Sequence, residues 1–222
     1  MSPFPVILSA PSGGGKTTIT KRLLAARPDV GYSVSATTRL PRHDEVEGRD
    51  YHFLTHGEFV AKRDHGEFAE SAEVHGKLYG TLRREVEKVL ARGKHVIMDI
   101  DVQGARQFKQ AFPESVLVFL LPPSADILLA RLQARRTEDP KDLLVRLETA
   151  KRELKELTSM DLYQYVVVNS DLERAVCDVS AIIDVEQLRR ERAGEALAAR
   201  VVELVQGLER DIAQLRDRVE AS

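Results

Sequence analysis

Between Ser12 and Thr18 the chain reads S-G-G-G-K-T-T, a run of glycines closed by a lysine and two hydroxyls. Glycine lets a backbone turn tightly around an anion where an ordinary side chain would obstruct it. Successive N–H groups then point inward as a nest, and a helix beginning at the lysine adds partial positive charge. The chemistry these residues suit is the binding of a polyphosphate. Lys16 would reach its β- and γ-phosphates, and the Thr17 hydroxyl would ligate Mg²⁺. The candidate loop spans Ala10, Pro11, Ser12, Gly13, Gly14, Gly15, Lys16, Thr17 and Thr18. Ala10 stands where the strict G-x-x-x-x-G-K-[ST] string has glycine. Alanine has the smallest Cβ, so the departure is minor if the position keeps a negative φ.

A loop of this kind needs a strand before it and a helix after it. Val6, Ile7 and Leu8 form a short apolar run between breakers, which reads as a buried strand. Ile19, Leu23 and Leu24 fall at helical spacing, so a helix is expected from Lys16 to about Arg27, ending at Pro28. Further buried strands are expected at His95–Asp101, Val116–Leu121 and Tyr165–Val168. Helical patterns lie between and after them, at about 103–111, 125–136, 141–157 and 172–188. From Gly31 to Arg92 the texture changes to short β-prone pieces (32–35, 51–53, 67–74) and a closing helix at about 82–92. Alternating elements with continuously apolar strands indicate an α/β fold: a three-layer α/β/α core around a parallel sheet, with a small mixed insertion. Right-handed crossovers put every strand C-terminus on one edge, which carries the glycine loop, Asp99, Asp101 and Asn169, and a ligand belongs there.

Other residues fit that edge. Ser35, Thr37, Thr38, Arg39 and Arg42 fall within eight positions, with Pro41 stiffening the turn. Two guanidinium forks and several hydroxyls suit a second phosphate, although an ordinary basic surface turn has the same composition. Tyr51 and Tyr79 could donate to that phosphate or serve as strand aromatics. Glu70 could accept from adjacent N1–H and N2–H₂ donors of guanine, which adenine lacks; alone, it also reads as a solvated strand residue. Asp99 and Asp101 could hold Mg²⁺ directly or through water, and Asp101 also suits a helix N-cap. Arg131, Arg135, Arg136 and Arg146 flank an acidic, proline-containing turn and suit a lid, or simply a solvated charged face.

Composition narrows the classes. The chain has 222 residues, 31% charged and 43% hydrophobic, so disorder and membrane spanning are disfavoured. A net charge of -2 argues against bulk electrostatic binding of nucleic-acid polymers. Cys177 is the one cysteine, which excludes an internal disulfide; its helical setting reads as a small core position. The six histidines lack metal-ligand spacing. The N-terminus carries no secretory pattern, and a cytoplasmic location is expected. In the tail, Val201, Leu208 and Leu215 and, four residues on, Val205, Ile212 and Val219 repeat every seven positions. That heptad seam fits pairing with a second copy or docking along the core.

The strings S-A-P-S-G-G-G-K-T, Y-S-V-S-A-T-T-R-L-P-R, E-G-R-D-Y-H-F, A-E-V-H-G-K-L-Y-G-T, D-I-D-V-Q-G-A-R and Y-V-V-V-N-S-D-L resemble, in order, those of the guanylate kinase family. They cover about residues 5–183. The resemblance implies Mg-dependent transfer of the ATP γ-phosphoryl group to GMP. It implies a phosphate clamp of Ser35, Arg39, Arg42, Tyr51 and Tyr79, and guanine recognition or its support by Glu70, Thr81 and Asp99. Lys16 would serve the ATP phosphates, Arg131, Arg135 and Arg146 the lid and transition state, and Asn169 would lie by the adenine. It divides the chain into a core (1–31 and 94–190), a GMP-binding insertion (32–93), a lid (about 131–150) and a helical extension (191–222). Ser71, Leu78 and Arg136 depart from the residues usual at their positions. A kinase for another monophosphate, or a non-catalytic scaffold on the same fold, is the alternative.

Overall fold

The computed structural model describes residues 2–74, 76–134, 140–159 and 161–220. They divide into two compact units, one of Pro3–Ile183 and one holding Ser2 and the chain from Asp184 onward.

The first unit is built on five parallel strands: β1 (Pro5–Ser9), β2 (Val30–Tyr32), β7 (His95–Asp99), β8 (Val116–Leu121) and β9 (Tyr165–Val168), in the order β2-β7-β1-β8-β9. Strands of a sheet covered on both faces must be apolar at odd and even positions alike. Thus Val6, Leu8, Ile97, Val116 and Val118 pack with α1 (Lys16–Ala26) and α7 (Leu172–Gln187). Ile7, Val96, Met98 and Leu117 face the other way, against α3 (Arg83–Leu90) and α4 (Val102–Ala111). Phe108 of α4 is fully buried there and stacks on Phe112, with ring centroids 5.0 Å apart.

A second sheet, β4-β3-β6-β5, comprises β3 (Ala36–Thr37), β4 (His52–Phe53), β5 (Phe68–Val74) and β6 (Lys77–Leu82). β3 pairs parallel with β4 and antiparallel with β6, which pairs antiparallel with β5. Helix α2 (His56–Asp64) covers it through Phe59, stacked on Phe68 with centroids 4.3 Å apart. Two helices remain, α5 (Ala125–Gln133) and α6 (Pro140–Ser159), which meet through Leu128, Leu132 and Ala150.

The core strands lie where the sequence indicates. Three differences have physical causes. Val30–Tyr32 pairs with β7 in the main sheet, so of the piece expected at 32–35 only Tyr32 is strand, and it ends a core strand. Helix α2 leaves no clear periodic pattern in the sequence, and its start is a capping box between Thr55 and Glu58. Cys177 is exposed, because Ala175, Val176 and Val179 form the buried face of α7.

In the second unit α8 spans Arg190–Glu220 with a break at Gly194, whose φ of 43° and ψ of -137° are non-helical. Glu186 accepts from Arg192 at 2.9 Å near its start. Both heptad series lie exposed along it, Leu208 being 61% accessible.

Removing the Phe108 ring should lower stability by about 3–5 kcal/mol, the usual effect of Phe→Ala in a closed core. Denaturant unfolding of Phe108→Ala checks this; a loss below about 1 kcal/mol would mean that α4 is anchored by other contacts.

Candidate active site

The glycine loop leaves the C-terminal end of β1 and runs into α1, as the strand–loop–helix order requires. Its shape is imposed by neighbours. At Gly15 φ is 95°, and a Cβ there would stand 2.5 Å from Asn169 Nδ2, so only glycine fits. Asn169, just past β9, donates that same amide to Gly14 O at 2.9 Å. Ala10 is fully buried, and a Cβ on Gly14 would meet the Ala10 methyl at 2.5 Å. The alanine in place of the usual first glycine is therefore accommodated because Gly14 has no side chain. Lys16 folds back, donating from Nζ to Ala10 O at 2.5 Å.

Two spaces lie along this edge of the sheet. One, about 300 Å³, is lined by Gly13, Gly15, Thr18, Arg131, Asn169 and Leu172. Arg131 of α5 donates from Nη2 to Asn169 O at 3.0 Å, so the arginine and the asparagine form one wall. The other, about 220 Å³, is lined on its polar side by Tyr32, Ser35, Tyr51, Glu70, Tyr79, Asp99 and Asp101. Asp99 joins this second cavity to the glycine loop. Its Oδ2 accepts from Thr17 Oγ1 at 2.7 Å and its Oδ1 from Tyr32 Oη at 3.3 Å. A hydroxyl and a carboxylate oxygen this close form the hard oxygen pair that a magnesium ion takes alongside substrate phosphates. Among the described residues no group of three or more His, Cys, Asp or Glu side chains could hold a metal by itself.

Glu70 lies 8% exposed in β5, not solvated. Burial pushes its carboxyl up to about 7, against the bond that Thr81 Oγ1 donates to Oε1 at 2.7 Å. Arg39 lies 5.4 Å from the Tyr51 ring centroid and pairs with Glu45 at 2.8 Å, the contact that most raises its pKa. Tyr51 and Tyr79 stand edge to face at 6.1 Å. Arg42 is exposed, its N–H donating to Glu45 Oε2 at 2.8 Å. Asp101 caps α4, accepting from Gly104 N–H at 2.7 Å, so the N-cap expectation holds. Arg146 is half-buried on α6. Arg135, with Arg136, lies outside the described residues.

Several residues around the site are marked for it by no motif string. Tyr32 reaches Asp99 because β2 belongs to the main sheet. Glu45 binds Arg39 across six residues of loop, a contact without a periodic signal. Glu153 of α6 feels both Lys16 and the Ser12 N–H, which partly offset the upward push of burial on its carboxyl.

A phosphate-binding loop at the edge of a parallel sheet, with a carboxylate linking it to a second polar cavity, defines a P-loop phosphotransferase. The guanylate kinase family model matches residues 2–186. The guanylate kinase of Nitratidesulfovibrio vulgaris is 47% identical over 186 residues, covering 84% of this chain and 88% of that protein. That of Anaeromyxobacter dehalogenans is 47% identical over 199 residues, covering 89% and 87%. The crystal structure of guanylate kinase from Anaplasma phagocytophilum superposes with a TM-score of 0.67 at 33% identity, covering 86% and 89%. The chain belongs to the guanylate kinase family.

The buried Glu70 gives a stability prediction. Its carboxyl is raised from 4.5 to about 7 on folding, so the folded state holds the proton more tightly. Stability attributable to the protonated form is present below about pH 4.5 and is lost as pH rises through 7. Across that window wild type should lose on the order of 3 kcal/mol relative to Glu70→Gln. Parallel unfolding curves of the two proteins at pH 5 and 8 would contradict it.

Proposed function

We propose that this site transfers the γ-phosphoryl group of ATP to GMP, giving ADP and GDP, with ATP over the glycine loop and GMP in the Tyr32–Glu70–Asp99 cavity. The observation that carries this is the Asp99 bridge: one carboxylate is bonded both to Thr17 at the loop and to Tyr32 at the second cavity. Two phosphate-bearing ligands in those spaces would converge at Asp99.

In this reading the N–H groups of the loop, with Lys16, hold the β- and γ-phosphates. Ser35, Arg39, Arg42, Tyr51 and Tyr79 hold the GMP phosphate, and Glu70 supported by Thr81 receives the guanine edge. Arg131 and Asn169 flank the nucleoside of ATP. A GMP phosphate oxygen attacks the γ-phosphorus while the bond to the β-γ bridging oxygen breaks, leaving ADP. The attacking oxygen is already anionic, so no general base is required. Alignment and charge neutralisation by Lys16, Arg39, Arg131, Arg135 and Arg146 supply the rate. Thr17 and Asp99, with Asp101 through water, would hold Mg²⁺, which when bound neutralises charge between the phosphates. The functional parts are a core of 1–31 and 94–190, a GMP-binding insertion of 32–93 and a lid at 131–150, with 191–222 as an extension. The location assigned is cytoplasmic; no described helix is long and apolar enough to cross a membrane.

The extension pairs with a second copy in this reading. Val205, Ile212 and Val219 are β-branched and alternate with Leu208 and Leu215, the combination that favours parallel two-stranded coiled coils. In such a pair Asp211 of one helix faces Arg216 of the other, an attractive contact. Light scattering should give a dimer for the full chain and a monomer for Leu208→Lys; a monomeric wild type at micromolar concentration would remove the dimer.

The assay to run is ADP formation from Mg-ATP with GMP, dGMP, AMP and UMP in turn. GMP and dGMP should turn over and the others should not. Arg146→Ala should lower kcat by about 10³-fold or more, the scale of one transition-state arginine. Lys16→Ala should also be severely impaired. Undiminished turnover in either variant would take that residue out of the mechanism.

A further inference from the structure

Helix α4 makes two contacts with β5 that covering the main sheet does not require. The Gln107 side-chain amide pairs in both directions with the backbone of Ser71. Ser71 N–H donates to Oε1 at 3.0 Å, and Nε2 donates to Ser71 O at 3.2 Å. β5 is an edge strand, so the N–H and C=O on its outer side need partners from outside the sheet. Gln107 supplies both, acting as a one-residue strand beside the position next to Glu70.

One turn earlier on the same face stands Gly104. A Cβ there would lie 3.0 Å from Glu70 Oε2 and 3.3 Å from Asp101 Oδ1. The other oxygen of Glu70 is held by Thr81 at 2.7 Å. The carboxylate is thus confined between β6 and the backbone of α4. The pairing of β5 with β6 shifts register between Phe68 and Glu70, so strand pairing alone defines this position loosely. Neither Gly104 nor Gln107 lines the cavity that Glu70 enters.

We propose that Gly104 and Gln107 are positioning residues for purine selection: Gln107 grips the backbone beside Glu70, and Gly104 leaves the space that Oε2 occupies. This rests on the reading that Glu70 receives the guanine edge. Because Asp101, two residues beyond Asp99, caps α4, one helix then fixes both the purine-selecting carboxylate and the acidic edge of the phosphate site.

Steady-state kinetics of Gln107→Leu, Gly104→Ala and Glu70→Gln, with GMP and ATP varied separately, tests this. Gln107→Leu and Gly104→Ala should each raise the KM for GMP by about tenfold, the scale of one or two misaligned hydrogen bonds. The KM for ATP should stay within about twofold, because loop contacts are untouched. Gly104→Ala improves helix propensity and keeps the fold, so it decides the matter if Gln107→Leu does not fold. Unchanged KM for GMP in both α4 variants, with a raised value in Glu70→Gln, would overturn the role of α4 and leave the guanine reading standing. An equal rise in both KM values would reduce the contacts to general structure. If Glu70→Gln itself leaves the KM for GMP unchanged, the guanine reading fails, and this proposal with it.

Discussion

Asp99 stands where it does because of a backbone ladder. β7 pairs in parallel with β1, with Leu8 opposite Asp99, so the carboxylate leaves the sheet one residue short of the point where β1 gives way to the loop. On the other side β2 pairs with β7, and Tyr32 ends it opposite Ile97. Three adjacent parallel strands therefore deliver a tyrosine, an aspartate and a phosphate loop to one sheet edge in a row. Thr17, in the first turn of α1, closes the row by donating to Asp99. Although the Tyr32 residue is 41% exposed, partial desolvation of its hydroxyl and the Asp99 charge raise its pKa, which keeps its O–H a donor to that carboxylate. Displacing β7 would separate the loop from the second cavity even with every side chain retained.

The loop is equally dependent on its surroundings. Its apex is held by an amide from the far strand, Asn169, and its base by the buried methyl of Ala10. In sequence, Ala10 reads only as a small loss of backbone freedom. In the fold it shifts the steric demand onto Gly14, where a side chain would collide with the methyl. Motif strings treat each position as an independent requirement. Here position 10 is coupled through one contact to Gly14, which the string leaves open.

The legible parts of the chain are those where burial on both faces imposes an unbroken apolar run. Val116–Leu121 and Tyr165–Val168 are strands with the bounds their sequences suggest, and α7 ends within a residue of its pattern. The second sheet is harder to read. β3 and β4 are two residues each, too short for any periodicity, and β6 starts at a lysine. Helix α2 has few apolar residues, and its mark is the Thr55–Glu58 capping box. In the site, Thr17 with Asp99 and Gly14 with Asn169 are motif residues in direct contact, whereas Gln107, Glu45 and Glu153 act through contacts that leave no periodic mark. Glu70 shows the limit most clearly. Its segment opens with Phe68, Ala69 and Glu70 all buried, where simple alternation leaves one face in water.

That burial bears on what Glu70 is suited to recognise. A carboxylate in a dry setting forms stronger hydrogen bonds than one in water, but ionising it there is costly unless donors meet it. Thr81 meets one oxygen, which leaves the group near neutrality between its protonated and ionised forms. A ligand edge with two adjacent N–H donors would favour the ionised form and supply the missing partners together. An edge with one donor and one acceptor, as in adenine, would face the carboxylate with a lone pair and leave the desolvation uncompensated. On the proposed reading, discrimination comes as much from the cost of an unpaired buried charge as from attraction to the correct base. A sheltered glutamate held rigidly between β6 and α4 selects more sharply than a mobile one, which could turn its unpaired oxygen back to water.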